Sequence, residues 1–137
     1  MNQGQTIITK SFEETQQLGM DFAKTLKPGD VVCLHGDLGS GKTTFVQGVA
    51  KGLGNTKQII SPTFIIMRTY KNMYHIDLYR IENENDINGI GLLDLIKEQD
   101  RVILIEWPEK IEHLLPTKRK NLFFEYVDDK RRTIVIE

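Results

Sequence analysis

The run Gly36-Asp37-Leu38-Gly39-Ser40-Gly41-Lys42-Thr43 restricts what this chain can fold into more than any other stretch of it. It satisfies G-x-x-x-x-G-K-[ST], and its flanks matter as much as its letters. Before it, Val31, Val32, Cys33 and Leu34 are apolar at consecutive positions, the pattern of a strand buried on both faces of a sheet. After it, Phe45, Val46, Val49, Ala50 and Leu53 mark one face of a helix from Lys42 to Leu53, with Gly54 placed to stop it. Strand, glycine-rich turn and helix together make a phosphate cradle. Backbone N–H groups from Asp37 to Thr44 curl round the anion, and the helix turns its unpaired amides and positive dipole end toward it. Lys42 adds a full charge, expected between the β- and γ-phosphates of a nucleotide, and the Thr43 hydroxyl is expected to coordinate Mg²⁺. The competing explanation is a glycine turn that matches by chance, and the strand before it and the helix after it argue against that.

With 137 residues the chain has room for one domain, spanning 1–137. Its 39 % hydrophobic and 27 % charged content is that of a soluble globular protein, which excludes disordered and fibrous classes. No apolar run approaches the roughly 18 residues a membrane helix needs, and the first twenty residues carry no signal-peptide pattern. Cys33 is the one cysteine, and no Cys/His spacing suits zinc, so a reducing, cytoplasmic setting with no membrane contact is expected. Lys and Arg number 18 against 19 Asp and Glu, a net charge of −1 that lacks the footprint of a stand-alone nucleic-acid binder. The charge is uneven, however. Six acids face one base between Glu82 and Asp100, while Lys118-Arg119-Lys120 and Lys130-Arg131-Arg132 are basic clusters with two open readings, solvated faces or partner contacts.

The remaining elements frame the cradle. Thr6 to Thr9 reads as a strand, and Ser11 with Glu14 is a capping box opening a helix that runs toward Pro28 and Gly29. Phe64 to Tyr70 and Met73 to Tyr79 read as a hairpin through Lys71 and Asn72, which makes the sheet mixed. Broken helix is expected between Ile81 and Ile96, interrupted at Gly89 and Gly91. Val102 to Ile105 is a second fully apolar strand, Trp107 and Pro108 open a short helix, and strands Asn121 to Val127 and Thr133 to Ile136 close the chain. Glu106, where four apolar residues end in an acid, is the Walker-B-like candidate for the magnesium carboxylate; a solvent-facing strand end is the plainer reading. On the next strand His75, Asp77 and Tyr79 share a face, so Asp77 either orients a water or reaches Mg²⁺ through one, or belongs to an ordinary surface hairpin. Ser61-Pro62-Thr63-Phe64 has the make-up of a γ-phosphate-sensing loop. Trp107 either shields the reacting phosphate or packs at a core or interface. Arg68, Arg80 and Arg132 are possible charge stabilisers outside any arginine-finger motif. His35 is expected to pack beside the loop, and Cys33 to be buried and inert.

Gly36 to Phe45, Ser61 to Phe64, His75-Ile76-Asp77-Leu78-Tyr79-Arg80 and Ile105-Glu106-Trp107-Pro108-Glu109, in that order, resemble the TsaE family, also known as the YjeE or YdiB family. These are small bacterial ATPases of the tRNA threonylcarbamoyladenosine pathway. The likeness covers nearly the whole chain. The loop alone marks a P-loop NTPase, and the three later motifs narrow it; Ser40 stands where alanine is common. The resemblance implies an α/β, three-layer P-loop NTPase fold with a mixed, mainly parallel central sheet, ATP hydrolysis, and Mg²⁺ held by Thr43 and Glu106. It further implies roles in turnover for Asp77 and Trp107, and nucleotide contacts from the chain's ends, with Arg132 at the C-terminal one. TsaD and TsaB are the implied partners, hydrolysis supporting their repeated turnover, with tRNA met through the complex.

Two rival functions share the loop. A small-molecule kinase needs an acceptor pocket and usually an arginine-bearing lid, which is not apparent between Ile81 and Asp100. A nucleotide-gated assembly module would bind ATP with hydrolysis incidental. A GTPase would need an Asn-Lys-x-Asp motif, which the sequence lacks.

Overall fold

The computed structural model describes residues 4–55, 67–82, 85 and 91–137. Among them are seven strands: β1 (Thr6–Thr9), β2 (Val31–His35), β3 (Met67–Thr69), β4 (Met73–Asp77), β5 (Val102–Glu106), β6 (Lys120–Tyr126) and β7 (Arg132–Ile136). The helices are α1 (Phe12–Ala23), α2 (Lys42–Gly52), α3 (Leu92–Glu98) and a 3₁₀ segment, Pro108–Leu114. The Ser61 to Phe64 loop, the first residues of the expected hairpin strand and the Gly89 interruption lie outside the described residues.

The strands form one sheet in the order β1-β7-β6-β2-β5-β4-β3. Its centre, β6-β2-β5-β4, is parallel, and β1, β7 and β3 join it antiparallel. The mixed α/β sheet is therefore as expected, its parallel part confined to four central strands. In the middle two, Val31 to Leu34 of β2 and Val102 to Ile105 of β5 are apolar at consecutive positions because each face meets a different layer. Val32 and Leu34 of β2 and Val102 and Leu104 of β5 pack in one cluster with Phe22, Phe45 and Val49 of α1 and α2. Val31, Cys33, Ile103 and Ile105 turn the other way, toward Leu92 of α3 and Ile111 of the 3₁₀ segment. The period-2 alternation of a strand thus sorts one sequence run into two cores.

Local chemistry sets the element ends. Ser11 Oγ accepts from the Glu14 N–H at 3.1 Å, and Glu14 Oε1 accepts from the Lys10 N–H at 3.1 Å, the reciprocal pair of a capping box shifted one residue outward. The first helix ends at Ala23, short of Pro28, and the Thr25 and Leu26 amides bond back to Phe22 and Ala23 as the chain turns toward β2. The two long helices cross at close quarters. A Cβ on Gly48 would sit 2.0 Å from the Gln16 carbonyl oxygen and one on Gly19 2.2 Å from that of Phe45, so only hydrogen at both positions permits this approach. Phe45 then reaches Phe22 at 5.6 Å and Phe124 at 5.2 Å between ring centroids, tying α2 to α1 and to the sheet. The second helix, and the loop that opens it, are held from both sides.

Candidate functional site

The carboxyl ends of the parallel strands and the start of α2 meet in a cavity of about 220 Å³. The loop from Leu38 to Thr44, Asp77, Glu106, Trp107 and Arg132 all contribute to its wall. Open parallel sheets bind ligands at this edge because the loops leaving the strands diverge there.

The loop is shaped for an anion. Gly41, at φ 103°, takes a left-handed conformation that L side chains avoid, and from there the chain enters α2 with no side-chain cap on its first amides. Ser40 Oγ is buried with no hydrogen-bond partner. Uncapped first-turn amides and an unpaired hydroxyl beside them are what a phosphate group would satisfy. Thr43 is exposed at the mouth, whereas Thr44 is buried behind it. Asp37 is exposed at the outer turn of the loop, where its carbonyl accepts from the Ser40 N–H.

Lys42 is 4 % exposed, and its Nζ donates to the Gly36 carbonyl while lying 4.0 Å from the centre of the Trp107 ring. Burial pushes its pKa down, and the carboxylates of Glu106, Asp77, Glu109 and Asp37 oppose that shift. Trp107 reaches Lys42 from a left-handed backbone, φ 60° and ψ 46°, unusual for so bulky a residue. Its indole also packs against Tyr79, ring centroids 5.3 Å apart.

The strand register delivers the acids. Asp77 pairs with Glu106 across β4 and β5, each the last residue of its strand. Two-residue periodicity places Met73, His75 and Asp77 on one face of β4 and Val102, Leu104 and Glu106 on one face of β5, and Met73, Val102 and Leu104 belong to the α1/α2 core. The polar members thus point toward the side on which α2 begins. Asp77 Oδ1 accepts the Tyr79 N–H at 3.0 Å, so the chain turns after Asp77 and Tyr79 lies beyond the strand, not on the shared face expected for it.

His75 is the site-forming residue that sequence reasoning passed over. Its Nε2 is 2.5 Å from Glu106 Oε2, with the two side chains 2 % and 4 % exposed. A histidine and an acid two residues from alignment on neighbouring parallel strands is a signal, but only once the register is known. His35 does pack beside the loop, stacked on Phe123 at 4.4 Å with its Nε2 3.1 Å from Asn121 Oδ1. Arg132 reaches the loop from β7: its Nε donates to the Gly39 carbonyl at 3.1 Å, and its guanidinium lies 4.7 Å from the Tyr126 ring. Arg68 on β3 and Arg80 are exposed and do not line the cavity. Cys33 is buried in the second core, which pushes its thiol up to about 12.

For Mg²⁺ the donor set fits: a hydroxyl from Thr43 and a carboxylate from Glu106 face one cavity, and both are hard oxygen donors. Among the described residues no group of three His, Cys, Asp or Glu could hold a metal unaided. No helix among the described residues is long and apolar enough to cross a membrane.

Residues 9–134 match the family model for the threonylcarbamoyl adenosine biosynthesis protein TsaE. A curated relative, the tRNA threonylcarbamoyladenosine biosynthesis protein TsaE of Rickettsia bellii, is 42 % identical over 137 positions, covering 96 % of this chain and 93 % of its own. The protein of the same name from Bacillus subtilis is 42 % identical over 126 residues, 89 % of this chain and 78 % of its own. The crystal structure of the Bacillus YdiB superposes with a TM-score of 0.75 at 36 % identity, covering 95 % of this chain and 82 % of that one. The strand order, the loop and the acids at the strand ends thus sit in a chain that belongs to the TsaE family.

Proposed function

We propose that this chain is the ATP-hydrolysing component of the bacterial tRNA threonylcarbamoyladenosine machinery, supporting repeated turnover by TsaB and TsaD homologues, with its 137 residues acting as one P-loop ATPase domain. The observation that carries the chemistry is the convergence of Lys42, Thr43, Asp77 and Glu106 on one cavity beneath Trp107. The pathway rests on the names of the relatives.

In this reading ATP lays its phosphates along the amides from Asp37 to Thr44, with Lys42 beside the β- and γ-phosphates and Arg132 contributing from the far side. Thr43 and Glu106 would hold Mg²⁺, which neutralises phosphate charge when bound. Asp77, on the cavity wall, orients a water that attacks the γ-phosphorus. The bond to the β,γ-bridging oxygen breaks, and ADP and phosphate leave. Trp107 screens the reacting end from bulk solvent, which strengthens each charge interaction inside. Arg132, the arginine lining the cavity, is already engaged with the loop carbonyl and the Asp128 carbonyl, so turnover by the chain alone is expected to be slow and to rise on partner binding.

The test mixes the chain with TsaB and TsaD homologues and unmodified tRNA, measuring phosphate release and modified adenosine with each component omitted. Multiple-turnover modification that stops without this chain supports the reading; modification that continues over many turnovers rejects the pathway. ADP release that appears only with an added small-molecule acceptor, and without free phosphate, assigns a kinase. Complex formation that needs ATP but survives loss of hydrolysis assigns an assembly module.

A further inference from the structure

A second cavity, of about 440 Å³, opens at the other end of β2, where the strand begins at Val31 rather than where it feeds the phosphate loop. Its volume is that of a ligand site. Lys27 and Asp30 line it from the turn between α1 and β2, Gln99 from the end of α3, and Lys118, Arg119 and Lys120 from the segment entering β6. Four cations and one carboxylate thus face one hollow in a chain whose net charge is −1. The carboxylate is partly committed, since Asp30 Oδ2 accepts from the Lys27 N–H at 3.0 Å.

The cations are largely unspent. Among the described residues no carboxylate pairs with the ammonium of Lys27, Lys118 or Lys120. Arg119 donates from one terminal nitrogen to Glu112 at 2.6 Å and from the other to the Pro116 carbonyl at 2.9 Å, while its Nε is buried and has no hydrogen-bond partner among the described residues. Buried donors without acceptors are few in folded proteins, and each asks for an explanation. Concave, like-charged walls also focus potential and concentrate counter-ions.

We propose that this cavity is a phosphate-binding site separate from the loop, taking a phosphate ester of an RNA backbone or a free phosphate. The chemistry favours phosphate over carboxylate. A planar carboxylate is best met by the two-pronged face of a guanidinium, and Arg119 already holds one carboxylate, that of Glu112, and the Pro116 carbonyl on its terminal nitrogens. What remains is the Nε–H, one N–H on each terminal nitrogen and three ammonium point charges, with Lys27 on one wall and Lys118 and Lys120 on another. That arrangement suits an anion whose charge is spread over oxygens pointing in several directions. The proposal uses no residue of the nucleotide site and stands or falls independently of the ATPase reading.

The experiment follows backbone amides of the full ¹⁵N-labelled chain by NMR during titration with inorganic phosphate, pyrophosphate and poly-glutamate, so that binding here is resolved from binding at the loop. Anisotropy of labelled tRNA is measured in parallel across a salt series. The variant is Lys118→Glu with Lys120→Glu, both outside the nucleotide site and neither fully buried. Phosphate or pyrophosphate is expected to move the Gly29, Gln99 and Arg119 amides in the parent and not in the variant. If the source is RNA, tRNA affinity also falls by about tenfold or more, and the slope of log K against log salt drops by roughly 1.5 for two lost phosphate contacts. Amide shifts with tRNA affinity unchanged assign a free phosphate. The proposal is overturned if neither phosphate nor pyrophosphate moves these amides, or if poly-glutamate moves them and phosphate does not.

Discussion

Replacing His75 with leucine should expose how much of the candidate site is held by one buried contact. Leucine keeps apolar bulk on β4 but removes the donor that, among the described residues, meets Glu106 Oε2 at 2.5 Å, nearly out of reach of solvent. Leaving a buried acceptor unpaired costs about 1–3 kcal/mol, the upper end applying to a carboxylate. A loss of about 3 kcal/mol is therefore expected, which a domain with a total stability of about 5–15 kcal/mol survives. At about 3 to 6 °C per kcal/mol for a chain of this size, the melting temperature should fall by about 10 to 15 °C. His75→Gln, whose Nε2 can still reach the carboxylate, should recover much of that. The decisive assay is a double-mutant cycle by urea unfolding with Glu106→Gln. A neutral amide left unpaired costs less than a carboxylate, so His75→Leu should cost at least about 1 kcal/mol less in the Glu106→Gln background. Additive effects, or a His75→Leu protein within about 0.5 kcal/mol of the parent, would refute the argument that this contact positions Glu106.

Gly48→Ala should destabilise although alanine favours helix by about 1 kcal/mol, because its Cβ meets the Gln16 carbonyl at 2.0 Å; a net loss of about 2 kcal/mol in urea unfolding is expected. Cys33, with its thiol pushed up to about 12 by burial, should resist alkylation at neutral pH in the folded chain and react fully in denaturant. Asp128 is held at about 2 against an ordinary 3.8, first by the Arg131 side chain and then by the Arg131 and Lys130 amides. A depressed carboxyl stabilises above its unfolded value and loses that contribution as pH falls through the folded one, so Asp128→Asn should flatten the melting profile between about pH 4 and 2 and leave it unchanged in slope above. Lys42→Ala should abolish most nucleotide binding by calorimetry. Glu106→Ala should weaken Mg²⁺-dependent hydrolysis more than metal-free nucleotide binding, and equal hydrolysis by variant and parent would reject the metal assignment.

The sequence was most informative where a residue's neighbours along the chain decide its role. Val31 to Leu34 and Val102 to Ile105 read as doubly buried strands because local apolarity sets that property, and the loop read as a phosphate cradle because its glycines and helix start are contiguous. Strand ends were legible to within a residue or two. Contacts set by register were not. His75 gave no sign of meeting Glu106, thirty-one positions away, because the pairing exists only once β4 lies parallel to β5. Gly19 and Gly48 carry no local signal, and only the α1/α2 crossing reveals that their missing side chains permit it. Tyr79 was placed on the strand because alternation continues past Asp77, whereas the bond from its N–H to Asp77 Oδ1 turns the backbone there. The left-handed turn at Trp107 likewise has no local sequence signal, since glycine or asparagine would ordinarily occupy such a position.

The charge balance of the cavity supports the proposal that a divalent ion enters with the nucleotide. Burial pushes the Lys42 pKa down, and acids that include Glu106 and Asp77 at the strand ends oppose that shift. A polyphosphate entering beside Lys42 would give that ammonium a better partner than the Gly36 carbonyl, but it would also bring negative charge up to the same two carboxylates. In a hollow of low effective dielectric, like charges at about 4 Å repel by several kcal/mol, comparable to what the lysine gains. One monovalent lysine cannot offset both the phosphates and the acids. A divalent cation, for which Thr43 and Glu106 are the proposed ligands, would reverse the sign of that repulsion, so that the acids would stabilise the bound state instead of opposing it. Removing Glu106 should then relax the metal requirement for binding even as it impairs hydrolysis, a separation that a purely structural role for this acid would not produce.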